Sequence, residues 1–303
     1  MSQTRVVLAG GSIGFNWLPV FVAERQGIFE RHGLAVEKRR TGAVDKATAA
    51  VESGEADLAI TPPEGAIADR LRQGDLRIVA GNVNRLPLTL IAQPRFKRIE
   101  ELRGQRLGTS SLTEGTAIYT MEVLSRHGLR YPGDYSFSVI GVHPARWKAL
   151  QEGTIEAAVQ LIPLNFVAVD AGYANLGEVS DYIPEIIFTA LIGRQEWLVR
   201  NPAATNALLR SLAEATEWLY DPAHDAELIP LVKDITQTDD KYASASLAYM
   251  REKTVFARSL EIPGAALEKT LELMVKAKLL KEGARDSART VLDDTFRQQS
   301  LAR

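Results

Sequence analysis

Short apolar runs recur along the first two hundred residues, each ending in a polar, glycine-containing turn that leads into helical spacing. Arg5–Leu8 hardly alternates and is rich in valine and leucine, as expected of a central parallel strand covered on both faces. The turn Ala9–Trp17 follows, then a helix through Leu18, Phe21 and Val22 that stops at Gly27, and a short piece Ile28–His32 that stops at Gly33. Ala35–Glu37 reads as the next strand and Val44–Ser53 as the next helix. After a strand ending at Thr61, Pro62-Pro63 starts a helix running to about Gln73, since proline suits a first turn. Leu76–Val79, Arg106–Gly108, Tyr135–Val139 and Ala157–Gln160 are further strands, interleaved with helices over Thr116–His127, Ala145–Gln151 and from Pro163. Ala117, Met121, Leu124 and Gly128 set the stripe of the first of these helices. From Arg194 the pattern is helical: Asn201-Pro202 and Asp221-Pro222 are start signals, and Leu208, Leu212, Ala215 and Leu219 form one face.

One motif occurs twice. Gly54, Asp57, Ala59 and Thr61 align with Gly153, Glu156, Ala158 and Gln160. Each copy reads as a helix capped by glycine in the left-handed conformation, an acidic turn, and a short buried strand ending in a polar residue. The chain is therefore expected to form two similar α/β lobes, residues 1–87 with 193–303 and residues 88–192. The crossings near Leu88–Ala92 and Ile186–Ile192 would form a hinge. Ligands of such sheets bind outside the carboxyl ends of the strands, which places Thr61 and Gln160 across a shared cleft.

Composition narrows the function classes. The 303 residues suffice for two domains. Lys+Arg 36 against Asp+Glu 38 leaves no basic patch for nucleic acid or an acidic membrane, and no run of about 18 apolar residues spans a bilayer. The absence of cysteine removes thiol nucleophiles, disulfides and thiolate metal sites. The four histidines (His32, His127, His143, His224) are scattered, so neither a metal nor another cofactor is expected. No basic segment and apolar stretch precede the first strand. A periplasmic protein whose leader has been removed and a cytoplasmic protein both fit.

The segment Phe15–Leu34, with Phe-Asn-Trp-Leu-Pro-Val-Phe-Val-Ala-Glu-Arg-Gln-Gly-Ile-Phe at its head, resembles the first helix and turn of ABC-importer substrate-binding proteins. The branch it resembles is that of nitrate, sulfonate, taurine and thiamine-pyrimidine-precursor binders. Gly54-Glu-Ala-Asp-Leu-Ala, Ile99-Glu-Glu-Leu-Arg-Gly-Gln-Arg-Leu-Gly108 and Gly153-Thr-Ile-Glu-Ala-Ala agree with it in order. The resemblance implies a two-lobed type II periplasmic-binding fold, with a hinge and a ligand cleft between its lobes, acting with a permease, as a monomer and without inserting in the membrane. The same family holds pyrimidine-precursor synthases with a cysteine-rich motif and sulfinate desulfinases with a cysteine nucleophile. Lack of cysteine excludes both chemistries here.

Gly108–Thr116, rich in hydroxyls, joins a strand to a helix, and its Ser110, Ser111, Thr113 and Thr116 could hold an oxyanion together with free amides. Family members bind oxyanions at this turn, although Ser111 or Thr113 would serve equally as a helix cap. In the matching turn of the first lobe, Ser12, Phe15, Asn16 and Trp17 could cover the ligand body, or the aromatics could simply anchor their helix. Glu64 could hold an amine or act as a first-turn acid. Thr61 and Gln160 follow from the repeat, while His143 and Thr189 complete the candidates, with a surface loop as the alternative for His143. Arg85, preceded by Asn82 and Asn84, could pair with a ligand acid, but a solvated turn is the commoner reading. Two functions stand: a receptor for a small organic anion (sulfonate, carboxylate or pyrimidine-precursor-like), or a lyase or decarboxylase on the same scaffold using Glu64 and His143 as acid and base.

Overall fold

The computed structural model describes residues 3–302. Its ten strands are β1 (Thr4–Gly10), β2 (Leu34–Arg40), β3 (Leu58–Thr61), β4 (Leu76–Val83), β5 (Leu88–Ala92), β6 (Arg106–Thr109), β7 (Ser136–Val139), β8 (Ala157–Leu161), β9 (Ala174–Glu178) and β10 (Thr189–Arg194). They form two five-stranded sheets with orders β2-β1-β3-β10-β4 and β7-β6-β8-β5-β9. The two orders match element for element. In each sheet four strands run in one direction, and a strand arriving from the other lobe is inserted antiparallel between the third and the fourth.

The repeated motif occupies equivalent places in the two sheets. Gly54 and Gly153 sit at φ +81° and +68°, where a side chain would strain the backbone. Beyond each, β3 pairs parallel with β1, and β8 with β6. The crossing expected over Ile186–Ile192 is largely β10, and the strand lies between β3 and β4 in the first sheet. β9 escapes the sequence pattern: Ala-Asn-Leu-Gly-Glu is a half-exposed edge strand with no continuous apolar run.

The two crossings run side by side. Ile186 N–H donates to Asn84 C=O at 3.1 Å and Phe188 N–H to Val83 C=O at 2.9 Å. The C-terminal helices pack chiefly on the first lobe, with the helix Pro202–Tyr220 against the helix Leu18–Arg25. They also reach the second lobe. The helix Gly264–Lys276 covers the helix Thr116–Ser125, which is why Ile118, Tyr119 and Val123 are buried beyond the stripe read from sequence. Among the described residues no helix is long and apolar enough to cross a membrane.

Candidate ligand-binding site

Between the sheets lies a cavity of about 60 Å³. Phe15, Val44, Thr116 and His143 line it, and each is the first residue of a helical segment. The positive ends of helices from both lobes therefore converge on one small space, an arrangement that favours a negative guest.

The second lobe adds a formal charge. Arg146 lines the cavity with 0% of its surface exposed. Its Nη1 donates to Gly141 C=O at 2.6 Å, and its Nη2 to His143 Nδ1 at 2.6 Å and to Val159 C=O at 3.3 Å, while Nε has no partner. Among the described residues no carboxylate pairs with it. Burial alone lowers its pKa, to about 9, so it remains a cation at neutral pH. An arginine in the first turn of a helix opposes the dipole, and this anomaly was the available sequence signal for a residue that the pattern analysis passed over.

His143 holds the arginine in place. Its Nδ1 accepts from Arg146 and from Leu161 N–H at 3.1 Å, so the ring proton is assigned to Nε2. Burial and the neighbouring guanidinium hold its pKa well below the usual imidazole value, and the ring is neutral. Gln160 does not face the cavity. With its amide oriented to suit its neighbours, its nitrogen donates to His143 C=O at 3.2 Å and its oxygen accepts from Trp147 N–H at 3.1 Å. It braces the helical turn that carries both His143 and Arg146.

Of the other candidates, Ser12, Phe15, Asn16, Trp17, Thr61, Ser110, Thr116 and Thr189 line the cavity together with His143. Trp17 lies flat against Gly10, where a side-chain carbon would come within 2.4 Å of the indole. Asn16 keeps a buried Oδ1 with no partner, while Asn82 Nδ2 donates to Asn16 C=O and to Thr189 Oγ1, each at 2.9 Å. Thr109 and Ser110 hydroxyls lie 3.1 and 3.4 Å from that of Thr116. Ser111 and Thr113 are outside the lining. Ser111 Oγ accepts from Thr113 N–H at 3.2 Å within the turn before the helix, which has no side-chain cap, and Thr113 is exposed; Ser111 does not share the hollow with Trp17. Arg85 is exposed, as a solvated turn would be.

Glu64 is also absent from the lining. It is 1% exposed, in the seam where the lobes meet, near Gly115 N–H and the Tyr119 hydroxyl of the second lobe, and its Oε2 and that hydroxyl are both buried with no hydrogen-bond partner among the described residues. Glu114, 7% exposed, reaches the other way and accepts from Thr48 Oγ1 of the first lobe at 3.4 Å. Gly65 leaves the room this needs: a Cβ there would lie 2.8 Å from Glu114 Oε1. Burial raises the Glu64 pKa to about 7. Burial, then the charges of Glu64 and Asp45, raise that of Glu114 to about 8. Among the described residues no cation answers either acid.

The family model described as NMT1/THI5 like matches residues 14–226. A candidate binding protein of Brucella abortus (strain 2308) is 27% identical over 201 residues, 65% of this chain and 61% of that protein. The chain thus spans under two thirds of the first curated relatives it matches. Among solved structures, the periplasmic nitrate-binding protein NrtA from Synechocystis PCC 6803 superposes with a TM-score of 0.85 at 14% identity, covering 99% of this chain and 89% of that one. The alkanesulfonate-binding protein SsuA from Xanthomonas axonopodis pv. citri, bound to MOPS, gives 0.79 at 14% identity, covering 97% and 98%. At these identities the structural likeness establishes the fold, two α/β lobes around a cleft. The match over well more than half of its length places the chain in the NMT1/THI5-like family.

Proposed function

We propose that this protein is a solute receptor that closes its lobes on a small organic anion and delivers it to an ABC permease outside the cytoplasmic membrane. The observation that carries the reading is Arg146, a fully buried guanidinium with no carboxylate partner, at a cavity where helix starts converge. An isolated buried charge costs several kcal/mol, roughly, even after relaxation. A bound carboxylate or sulfonate would supply the missing counter-charge and accept charge-assisted hydrogen bonds. The binding functions named for NrtA and SsuA agree with this chemistry.

The enzymatic alternative finds less support. Glu64 lies in the seam and His143 at the cavity, and His143 Nδ1 already accepts two hydrogen bonds, so the proposed acid and base do not face a common space. Titration calorimetry against alkanesulfonates and matched carboxylates tests the receptor reading. Binding without turnover, weakened about a thousandfold in Arg146→Met, is expected, since truncating one member of a buried charged contact costs about 4 kcal/mol. Unchanged affinity in that variant, or conversion of the bound compound detected by mass spectrometry, would overturn it.

A further inference from the structure

The cavity has an outer compartment. A groove of about 520 Å³ opens from it, and Ser12, Gly14, Phe15, His143 and Leu161 line both spaces. The inner cavity holds the volume of only about four waters, enough for a headgroup and little more. The groove is different in character. Trp147, Leu164 and Val167 line it from one side and Ile235 and Tyr242 from the other, while Arg40 and the polar run Thr236–Asp239 complete the lining. Trp147 is set edge-on against Tyr173, ring centroids 4.9 Å apart. Leu164 and Val167, both half-buried, line the groove and belong to neither core cluster. The walls are tied together from opposite lobes: Tyr242 Oη donates to Asp170 at 2.9 Å, and Lys241 pairs with the same carboxylate. Asp170 ends the helix that carries Leu164 and Val167.

Resting on the anion-receptor reading, we infer that the ligand is an amphiphilic anion: its acidic headgroup enters the inner cavity, and its alkyl or aryl body lies in this groove. A compact inorganic anion would fill the cavity and leave the apolar walls wet. Each methylene placed against those walls strengthens binding about fourfold, the equivalent of about 0.8 kcal/mol per buried methylene.

The test is calorimetry with nitrate, the alkanesulfonates from methanesulfonate to octanesulfonate, and neutral 1-octanol. Affinity is expected to climb about fourfold per methylene over the first several carbons, with nitrate and 1-octanol far weaker than octanesulfonate. Val167→Asp, which puts a charge in the groove without touching a core cluster, is expected to weaken octanesulfonate at least tenfold more than it weakens methanesulfonate. Trp147→Ala should flatten the chain-length series. A flat series that still depends on Arg146, or full octanesulfonate affinity in Val167→Asp, overturns the amphiphile inference and leaves the anion receptor standing. Binding of no sulfonate and no matched carboxylate overturns both.

Discussion

Two buried charge sites lie between the lobes, and they are opposites. Among the described residues, the guanidinium of Arg146 at the cavity meets no acid, and the carboxyls of Glu64 and Glu114 in the seam meet no base. The first is built by one lobe, around a single helical turn. The second exists only where the lobes touch, because Glu64 comes from one and Glu114 from the other. Water is denied to both, yet they can be neutralised by different means. A guanidinium keeps its proton and must find an anion, whereas a carboxyl can take up a proton. The contrast shows how one interface can be selective for a ligand at one point and sensitive to pH at another.

The largest effect expected from breaking this contrast is at the cation. Arg146→Met should lose about three decades of affinity while the unliganded protein changes stability by less than about 2 kcal/mol, because apolar replacement of a buried ion is often near neutral. Calorimetry paired with thermal melts checks both halves; a collapse of the melt would make Arg146 a structural residue instead.

At the acids the effect should be somewhat smaller and should depend on pH. Their folded-state pKa values, about 7 and about 8, lie above the ordinary 4.5, so the folded protein binds more protons than the unfolded chain between those limits. Their contribution is fully present below pH 4.5, falls as pH rises above that value, and is lost once pH has passed through 7 to 8. Asp45 and Glu52 face Glu114 and add to the loss, whereas Thr48 opposes it; at Glu64 the Tyr119 hydroxyl does so. Denaturant melts from pH 5 to 9 should show this decline in the wild type and a much flatter profile in Glu114→Gln. If closure accompanies capture, calorimetry in two buffers of different ionisation enthalpy should register proton uptake at pH 8. A wild-type profile as flat as the variant's would mean the seam is solvated.

A smaller change is expected behind the cavity. Gln160→Leu keeps the volume near that of the amide but removes the brace on His143 C=O and Trp147 N–H, and should weaken anion binding about tenfold through a misplaced Arg146. Equal affinity in the variant would show that the turn is held by its own helix alone.

Much of the frame was legible because its causes are local. Gly54 and Gly153 announce left-handed caps through backbone sterics, and the runs after them are the apolar strands β3 and β8. The cleft-facing turn at Ser12–Trp17 follows from the same logic of strand, turn and helix. Other features depend on what comes from elsewhere in the chain. β9 is a strand because β5 offers it an edge, and the helix Thr116–Ser125 is buried around more of its surface because a distant helix covers it. Glu64 at a helix start looks the same in sequence whether it faces a ligand or a second acid. Arg146 was harder still: its place in a first turn marks it as odd, but the lack of an opposing charge that sets it apart cannot be read from neighbouring letters.

Gly65 has a consequence for anyone wishing to control the molecule. A methyl group there would lie 2.8 Å from both Glu114 Oε1 of the facing lobe and Thr48 Cγ2 of its own, so alanine at this position is expected to crowd the seam and, where Glu114 stays in place, to act as a doorstop. Jaws wedged ajar in this way would give a permanently unlatched counterpart of the protein. Against it the motion of the unwedged chain could be timed.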